Sequence, residues 1–268
     1  MIIDVHCHVW PDEIAPRVLA SNPAGLTPFA DGTVAGLLRT MDAAGVERAC
    51  CLGVANVAKN VERTNEFIGS VDRSRLYAFG TVHQDLSVEE NLRSLRNNGI
   101  QGIKLHPNFQ GISLSDPRVI EILRGVAELG LVAITHAGEG SNEDASRRGS
   151  PLEILKLTRE IPSLKLIACH YGGYHRLDEA TSVLEGTTVV LETSWPPSIA
   201  ELDGERIKGI INRHGADRFV FGSDWPMAEP AREIETLRDL GLSSGDLDAV
   251  LGGTLEKLLN NDLIEGGF

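Results

Sequence analysis

Eight short apolar, β-branched runs recur along this 268-residue chain, and each is followed by a longer segment with helical spacing. The predicted strands lie at 2–6, 49–52, 76–81, 102–105, 131–135, 164–169, 188–192 and 219–223. The predicted helices lie at 34–44, 61–71, 88–98, 118–129, 152–160, 177–185, 205–214 and 232–240. Apolar strands that alternate strictly with helices form a parallel sheet covered by those helices. Eight such units, in a chain near the ~250 residues usual for the fold, point to closure into a (β/α)8 barrel; an open doubly wound sheet shares the same periodicity. Gly45, Gly99, Gly130 and Gly186 fall just past predicted helices, where a left-handed cap is expected. No linker or shift in composition divides 1–268, so one domain is expected, with 246–263 forming one or two short helices that close the barrel's end.

The composition is that of an ordinary globular chain, 42% hydrophobic and 24% charged. Its formal charge of -13, from 38 acidic and 25 basic residues, argues against binding a phosphate backbone, which needs clustered Lys and Arg. Cys7, Cys50, Cys51 and Cys169 each sit in an apolar or strand-like run without a disulfide framework, which reads as buried free thiols in a reducing compartment. The first residues lack the pattern of a secretion signal, and no apolar run approaches the ~18 residues that span a bilayer. A cytoplasmic protein with a small-molecule substrate, and with neither nucleic acid nor membrane as partner, is expected; a homodimer is left open.

The polar residues are placed unevenly. His6 and His8, Lys104 and His106, His136, His170, Glu192 and Asp224 all follow apolar runs at their C-terminal ends, and in a barrel those ends share the rim that carries active sites. Side chains two apart on a strand point the same way, so His6 and His8 can reach one ion while Cys7 points away. His136 precedes the small turn Ala137-Gly138. His170 precedes Tyr171-Gly172-Gly173 and reads as ligand or catalyst. Asp224, after an apolar strand, needs a partner for its charge, and a metal or its water would serve. Taken singly, each has a plainer reading: stray histidines, a satisfied core imidazole, a helix-capping aspartate. The repetition at strand ends favours a site. Three histidines and a carboxylate suit Zn2+, and also Mn2+, Fe2+ or Co2+, with Asp224 able to orient a water and take its proton.

Around this set, Trp10, Phe109, Trp195 and Trp225 lie just past strand ends and read as pocket walls or as loop packing. His106 and Gln110 could hydrogen-bond a substrate from the fourth loop, although His106 could instead stabilise its turn. Lys104 reads most plainly as an ammonium for a substrate carboxylate. Glu192 faces the site or caps a neighbouring loop. Glu139, Arg147 and Arg148, in the loop after the fifth strand, default to solvated charge. His83, His175 and His214 read as structural.

As a set, Ile3-Asp4-Val5-His6-Cys7-His8, Gly102-Ile103-Lys104-Leu105-His106-Pro107, Thr135-His136-Ala137-Gly138, Cys169-His170-Tyr171-Gly172-Gly173, Phe221-Gly222-Ser223-Asp224-Trp225-Pro226 and Leu251-Gly252-Gly253 resemble the amidohydrolase superfamily, in its amidohydrolase-related (amidohydrolase 2) branch of small hydrolases, lactonases and non-oxidative decarboxylases. The resemblance implies a distorted (β/α)8 barrel and a mononuclear metal held by His6, His8, His136 and Asp224. It also implies that His170 stabilises the bound water or polarises the substrate. In some relatives a lysine at the place of Lys104 is carboxylated and bridges two metals, with His136 and His170 on the second; one metal is the preferred expectation. The family's terminal Gly-Gly-Asn is Gly252-Gly253-Thr254 here, and Thr can also cap a helix. The leading expectation is metal-dependent hydrolysis of a small ester, lactone or amide of a carboxylate-bearing metabolite. The alternative is non-oxidative decarboxylation of an aromatic or unsaturated acid by the same ligands. A metal-stabilised binding protein is a third reading, disfavoured by the presence of Asp224 and His170.

Overall fold

A computed structural model describes residues 1–21 and 25–260. It contains β1 (Ile3–His8), β2 (Arg48–Leu52), β3 (Leu76–Gly80), β4 (Gly102–Leu105), β5 (Val132–Thr135), β6 (Lys165–Ala168), β7 (Val190–Glu192) and β8 (Phe219–Val220). The strands pair in sequence order, and every pair is parallel. The open-sheet alternative fails at the seam, where the last strand meets the first: Val5 N donates to Phe221 O at 2.9 Å and His8 N to Trp225 O at 2.7 Å. Cys7 and Trp225 form a parallel bridge there. The result is a nearly closed (β/α)8 barrel.

The predicted helices form within a few residues of their expected bounds, from Val34–Ala44 to Pro230–Asp239. Their ends follow local chemistry. Thr33 accepts from Gly36 N, Asp203 accepts from Arg206 N, and Ser87 with Glu90 makes a capping box, each satisfying amides that a helix start leaves open. Gly45, Gly99, Gly130 and Gly186 all take positive φ, between 56° and 76°, as the sequence predicts. Three short rim helices, Ala15–Ala20, Pro107–Gln110 and Glu143–Arg148, escape a periodicity argument because they are too brief to establish a period.

Strand alternation divides the apolar residues between two sides. Ile3, Val5, Phe79, Val132, Ile134 and Ile167 fill the barrel's interior, while Ile103, Leu105, Ala133, Leu166 and Phe219 pack outward beneath the helices. Leu255 and Leu258, from the helix Thr254–Leu259, join the interior set and close the end from which the strands start. The four cysteines are buried and free. No helix among the described residues is long and apolar enough to cross a membrane.

Two expectations about the end of the chain change. β8 leaves the ladder after Val220 rather than at residue 223, because Phe221 N donates to Val250 O at 2.8 Å and Ser223 N to an Asp4 carboxylate oxygen at 3.0 Å. Thr254 does not cap a helix: it continues the π-helical turn Ala249–Gly253 with helical φ and ψ of −65° and −43°, and its buried hydroxyl has no partner. Residues 261–263 of the predicted terminal segment lie outside the described residues.

Gly252 is required for this closure, since a Cβ there would stand 2.6 Å from the Met1 carbonyl oxygen. Gly45 faces open space, and only its positive φ opposes a side chain. Gly252→Ala is therefore expected to lower stability by about 1–3 kcal/mol through overpacking, and Gly45→Ala by about 1 kcal/mol through backbone strain. Urea unfolding midpoints check both; an unchanged midpoint for Gly252→Ala would contradict the closure described.

Candidate metal centre and active site

The first strand carries an irregularity that aims the site. Between Asp4 and Cys7 the strand uses three steps while β2 uses two, from Ala49 to Cys51. One extra residue in a strand reverses the alternation of its side chains. Ile3 and Val5 therefore point into the barrel and so do His6 and His8, while Cys7 turns out beneath the helices. His6 Nε2 stands 3.2 Å from His8 Nε2 and 3.1 Å from Asp224 Oδ1, and His8 Nε2 stands 3.7 Å from that same oxygen. Atoms from the first strand and from the segment after the last thus converge at the C-terminal rim.

The electrostatics of this cluster suit a divalent cation. Burial holds His6, His8, His106 and His170 well below the usual imidazole range and His136 at about 4, so all five rings are neutral at neutral pH, the state a metal requires. The Glu192 carboxylate lies 3.2 Å from His6 Nδ1; accepting the proton there leaves the Nε2 lone pair directed at His8 and Asp224. Burial pushes the Asp224 carboxyl up to about 8 and Asp4 up to about 6. Ionised together, Asp4, Glu192 and Asp224 against the single Lys104 ammonium leave two negative charges in excess, which a divalent ion would offset. His6, His8 and Asp224 form one group with ligand-compatible spacing; His6, Cys169 and Glu192 form another, fully buried. The first has the better chemistry. Burial pushes the Cys169 thiol well up, and the protonated thiol is a poor ligand.

His136, expected as a further ligand, lies outside both groups. Its Nδ1 meets His170 Nε2 at 3.1 Å and its Nε2 the Glu139 carbonyl at 3.1 Å, while its face stacks on His106 at 4.4 Å. His170 Nδ1 is 2.9 Å from Ser194 Oγ, which donates to Glu192 at 2.9 Å. His170 and Asp224 both hold left-handed backbones, with φ of 58° and 63°, a conformation that costs about 1–3 kcal/mol in non-glycine residues and is typical of functional positions. Glu192 accepts from His170 N at 3.1 Å. Asp4 accepts from His6 N, Ser223 N and Ser223 Oγ at 3.0, 3.0 and 2.6 Å, fixing the residue before Asp224.

Several predicted site residues take other positions. Lys104 is fully buried; its ammonium donates to Cys169 Sγ at 3.0 Å and to His6 Nε2 at 3.1 Å, so it lies beneath the ligand group rather than at the mouth where a substrate carboxylate would arrive. Gln110 is not free for substrate: its amide nitrogen donates to Val82 O, Ala55 O and Thr81 Oγ1, and its oxygen accepts from His106 N. Trp225 is fully buried and its indole donates to Thr40, on the helix Val34–Ala44, because Asp224 and Trp225 face opposite sides of the wall. His106 stabilises its turn by accepting from Phe109 N at 3.4 Å, and Phe109 stacks on it at 3.8 Å. Trp10 stacks on His8 at 6.0 Å. Trp195 is buried and packs against Tyr174 and His175. Arg147 is exposed and pairs with Asp144. His83 and His214 are structural, as expected: His214 spans the Val189 carbonyl and Gly186 N, and His83 accepts from Asp85 N.

Sequence reasoning passed over Ser194 and Tyr174. Tyr174 packs against His170 and His136, and both residues lie within four positions of a strand-end residue already singled out. Gly222 carried a signal too: a Cβ there would stand 2.3 Å from a Glu192 carboxylate oxygen.

A parallel barrel with a nitrogen–oxygen donor centre at its C-terminal rim defines a class of metal-dependent TIM-barrel enzymes. Residues 3–260 match the amidohydrolase family model Amidohydro_2, and the chain belongs to this family of metal-dependent enzymes. It is 22% identical over 210 residues to 2-amino-3-carboxymuconate-6-semialdehyde decarboxylase of Dictyostelium discoideum; that match covers 66% of this chain and spans 58% of the relative's length. Among solved structures it is similar to a putative 2-pyrone-4,6-dicarboxylic acid hydrolase of Pseudomonas putida (TM-score 0.68, 19% identity, 98% of each chain). It is also similar to a dihydroxybenzoic acid decarboxylase of Polaromonas sp. JS666 with bound manganese and 2-nitroresorcinol (TM-score 0.71, 16% identity, 98% of each chain).

Because Gln110 ties the loop after β4 to those after β2 and β3, Gln110→Ala is expected to cost about 1–3 kcal/mol through the partners it leaves unsatisfied. Chemical denaturation measures this, and a stability equal to wild type would return Gln110 to the substrate side.

Proposed function

We propose that this enzyme is a metal-dependent hydrolase of a small lactone, ester or amide, with His6, His8 and Asp224 holding one divalent ion. The observation that carries the reading is the convergence of His6 Nε2, His8 Nε2 and Asp224 Oδ1 within 3.1–3.7 Å at the rim. Two imidazoles and a carboxylate suit Zn2+, with Mn2+, Fe2+ and Co2+ as substitutes. A bound divalent ion supplies Lewis acidity, polarising a carbonyl and making water acidic enough to lose a proton near neutral pH.

This chain's own residues supply the rest. Asp224, ionised beside a bound cation, is placed by its 3.1 Å approach to His6 Nε2 to take a proton from the attacking water. When Ser194 Oγ turns to donate to His170 Nδ1, the neutral His170 ring carries its hydrogen on Nε2, and exchanging its His136 partner for the substrate lets it donate to the developing oxyanion. Tyr174 and His136 shield that face from solvent. The excess of acid over base suits a soluble cytoplasmic enzyme, acting as one domain on a small molecule without nucleic acid or membrane.

A second reading has its own observation. Phe109, His106 and His136 stack nearly parallel, at 3.8 Å and 15° and then 4.4 Å and 6°, a short ring stack that a planar unsaturated acid could extend at its end. The Dictyostelium and Polaromonas relatives are decarboxylases, and decarboxylation would use the same ligands.

The test screens metal-loaded wild type and Asp224→Asn against lactones, esters, amides and aromatic or unsaturated acids, with product analysis. Hydrolysis that a chelator abolishes, and that Asp224→Asn slows by about 100- to 10,000-fold in kcat/KM, is expected. Carbon dioxide release without hydrolysis would replace the first reading by the second. A folded Asp224→Asn enzyme with full turnover would remove Asp224 as the base.

A further inference from the structure

Glu192 is fully buried at the end of β7, and four groups of the site meet on its carboxylate. Oε2 stands 3.2 Å from His6 Nδ1 and accepts from His170 N at 3.1 Å and from Ser194 Oγ at 2.9 Å, while Oε1 accepts from Ser194 N. Ser194 Oγ in turn lies 2.9 Å from His170 Nδ1 and 3.3 Å from His6 Nδ1. The space for this carboxylate is kept by Gly222 on the neighbouring chain segment, where a Cβ would stand 2.3, 2.7 and 2.8 Å from Glu192 Oε1, Cδ and Cγ. One side chain therefore holds a ring of the metal group and the backbone of the histidine opposite it.

We infer that Glu192 is a positioning residue that sets the His6 tautomer, so that Nε2 is presented to the metal, and ties the placement of His170 to that of His6. This rests on the proposed metal function and adds the device that prepares the site for the ion. Three donors already point at this carboxylate and favour its ionised form, which has no proton to offer, so the hydrogen on His6 lies on Nδ1 for the 3.2 Å contact to be a hydrogen bond. Nε2 then has a lone pair, which the Lys104 ammonium meets at 3.1 Å and which a divalent ion would take. An amide at 192 keeps the shape but accepts through one oxygen only. It must turn an NH2 toward some of these donors, and the His6 ring loses the charged partner that fixes it and raises its basicity.

Two measurements test this. In the wild-type protein without metal, long-range 1H–15N spectra of the imidazoles are expected to show His6 protonated on Nδ1 and bare on Nε2; the opposite tautomer overturns the inference without any variant. Zn2+ affinity is then measured by competition with a chromophoric chelator for wild type, Glu192→Gln and Glu233→Gln. Glu233 is a buried carboxylate away from the site that accepts from Ser198 Oγ and Ile199 N, and so it controls for general loosening. Glu192→Gln is expected to weaken Zn2+ binding by about tenfold to a hundredfold, with Glu233→Gln unchanged in affinity even where its melting temperature falls. Equal affinity in Glu192→Gln and wild type, or an equal loss in both variants, overturns the positioning role. A wild type that binds no Zn2+ defeats instead the metal function on which it rests.

Discussion

His6 is gripped from two sides by buried carboxylates, and the rest of the site is arranged around that grip. Asp4 takes its backbone amide and Glu192 faces its ring. Each carboxylate also reaches a second strand end: Asp4 binds Ser223, next to the left-handed Asp224, and Glu192 binds the amide of the left-handed His170. Two strained backbones that would relax in isolation are thereby held by hydrogen bonds to charge-bearing acceptors, which are among the stronger kinds in proteins. The bulge in β1 makes this possible, because it turns His6 inward immediately after Val5 and leaves Asp4 within reach of its amide.

The same dry interior decides the protonation of everything it touches. Imidazoles packed edge to face at about 5 Å, as in His6–His8 and His136–His170, cannot share positive charge without solvent, and they stay neutral. The Asp4 and Asp224 carboxyls resist ionising there. A divalent cation resolves both conditions together, since it needs neutral imidazoles and stabilises ionised carboxylates. Lys104 contributes an ammonium to this cluster, and its contacts to Cys169 and His6 place it beneath the donors as a fixed counter-charge.

Much of this was legible in the sequence. Eight strand–helix repeats and glycines at helix ends reported the barrel, since both signals are local. His6, His8, His136, His170 and Asp224 could be placed on one rim because strand ends share it. The parity reversal in β1 was not legible: Ile3-Asp4-Val5-His6-Cys7-His8 alternates without interruption, and the extra residue shows only against β2. Trp225 and Gln110 illustrate the other gap. Both follow strands as a pocket residue would, yet the indole meets Thr40 and the amide meets three acceptors from other loops. Those partners are distant in sequence, so no local pattern distinguishes a binding group from a satisfied one.

Everything proposed for this enzyme requires His6, His8 and Asp224 to hold one divalent ion at the rim. Diffraction from metal-replete crystals, recorded on both sides of the Zn2+ absorption edge, tests it most directly. A single anomalous peak within bonding distance of His6 Nε2, His8 Nε2 and the Asp224 carboxylate is expected. Fully loaded crystals with no peak there, or with the ion instead among His6, Cys169 and Glu192, would contradict it.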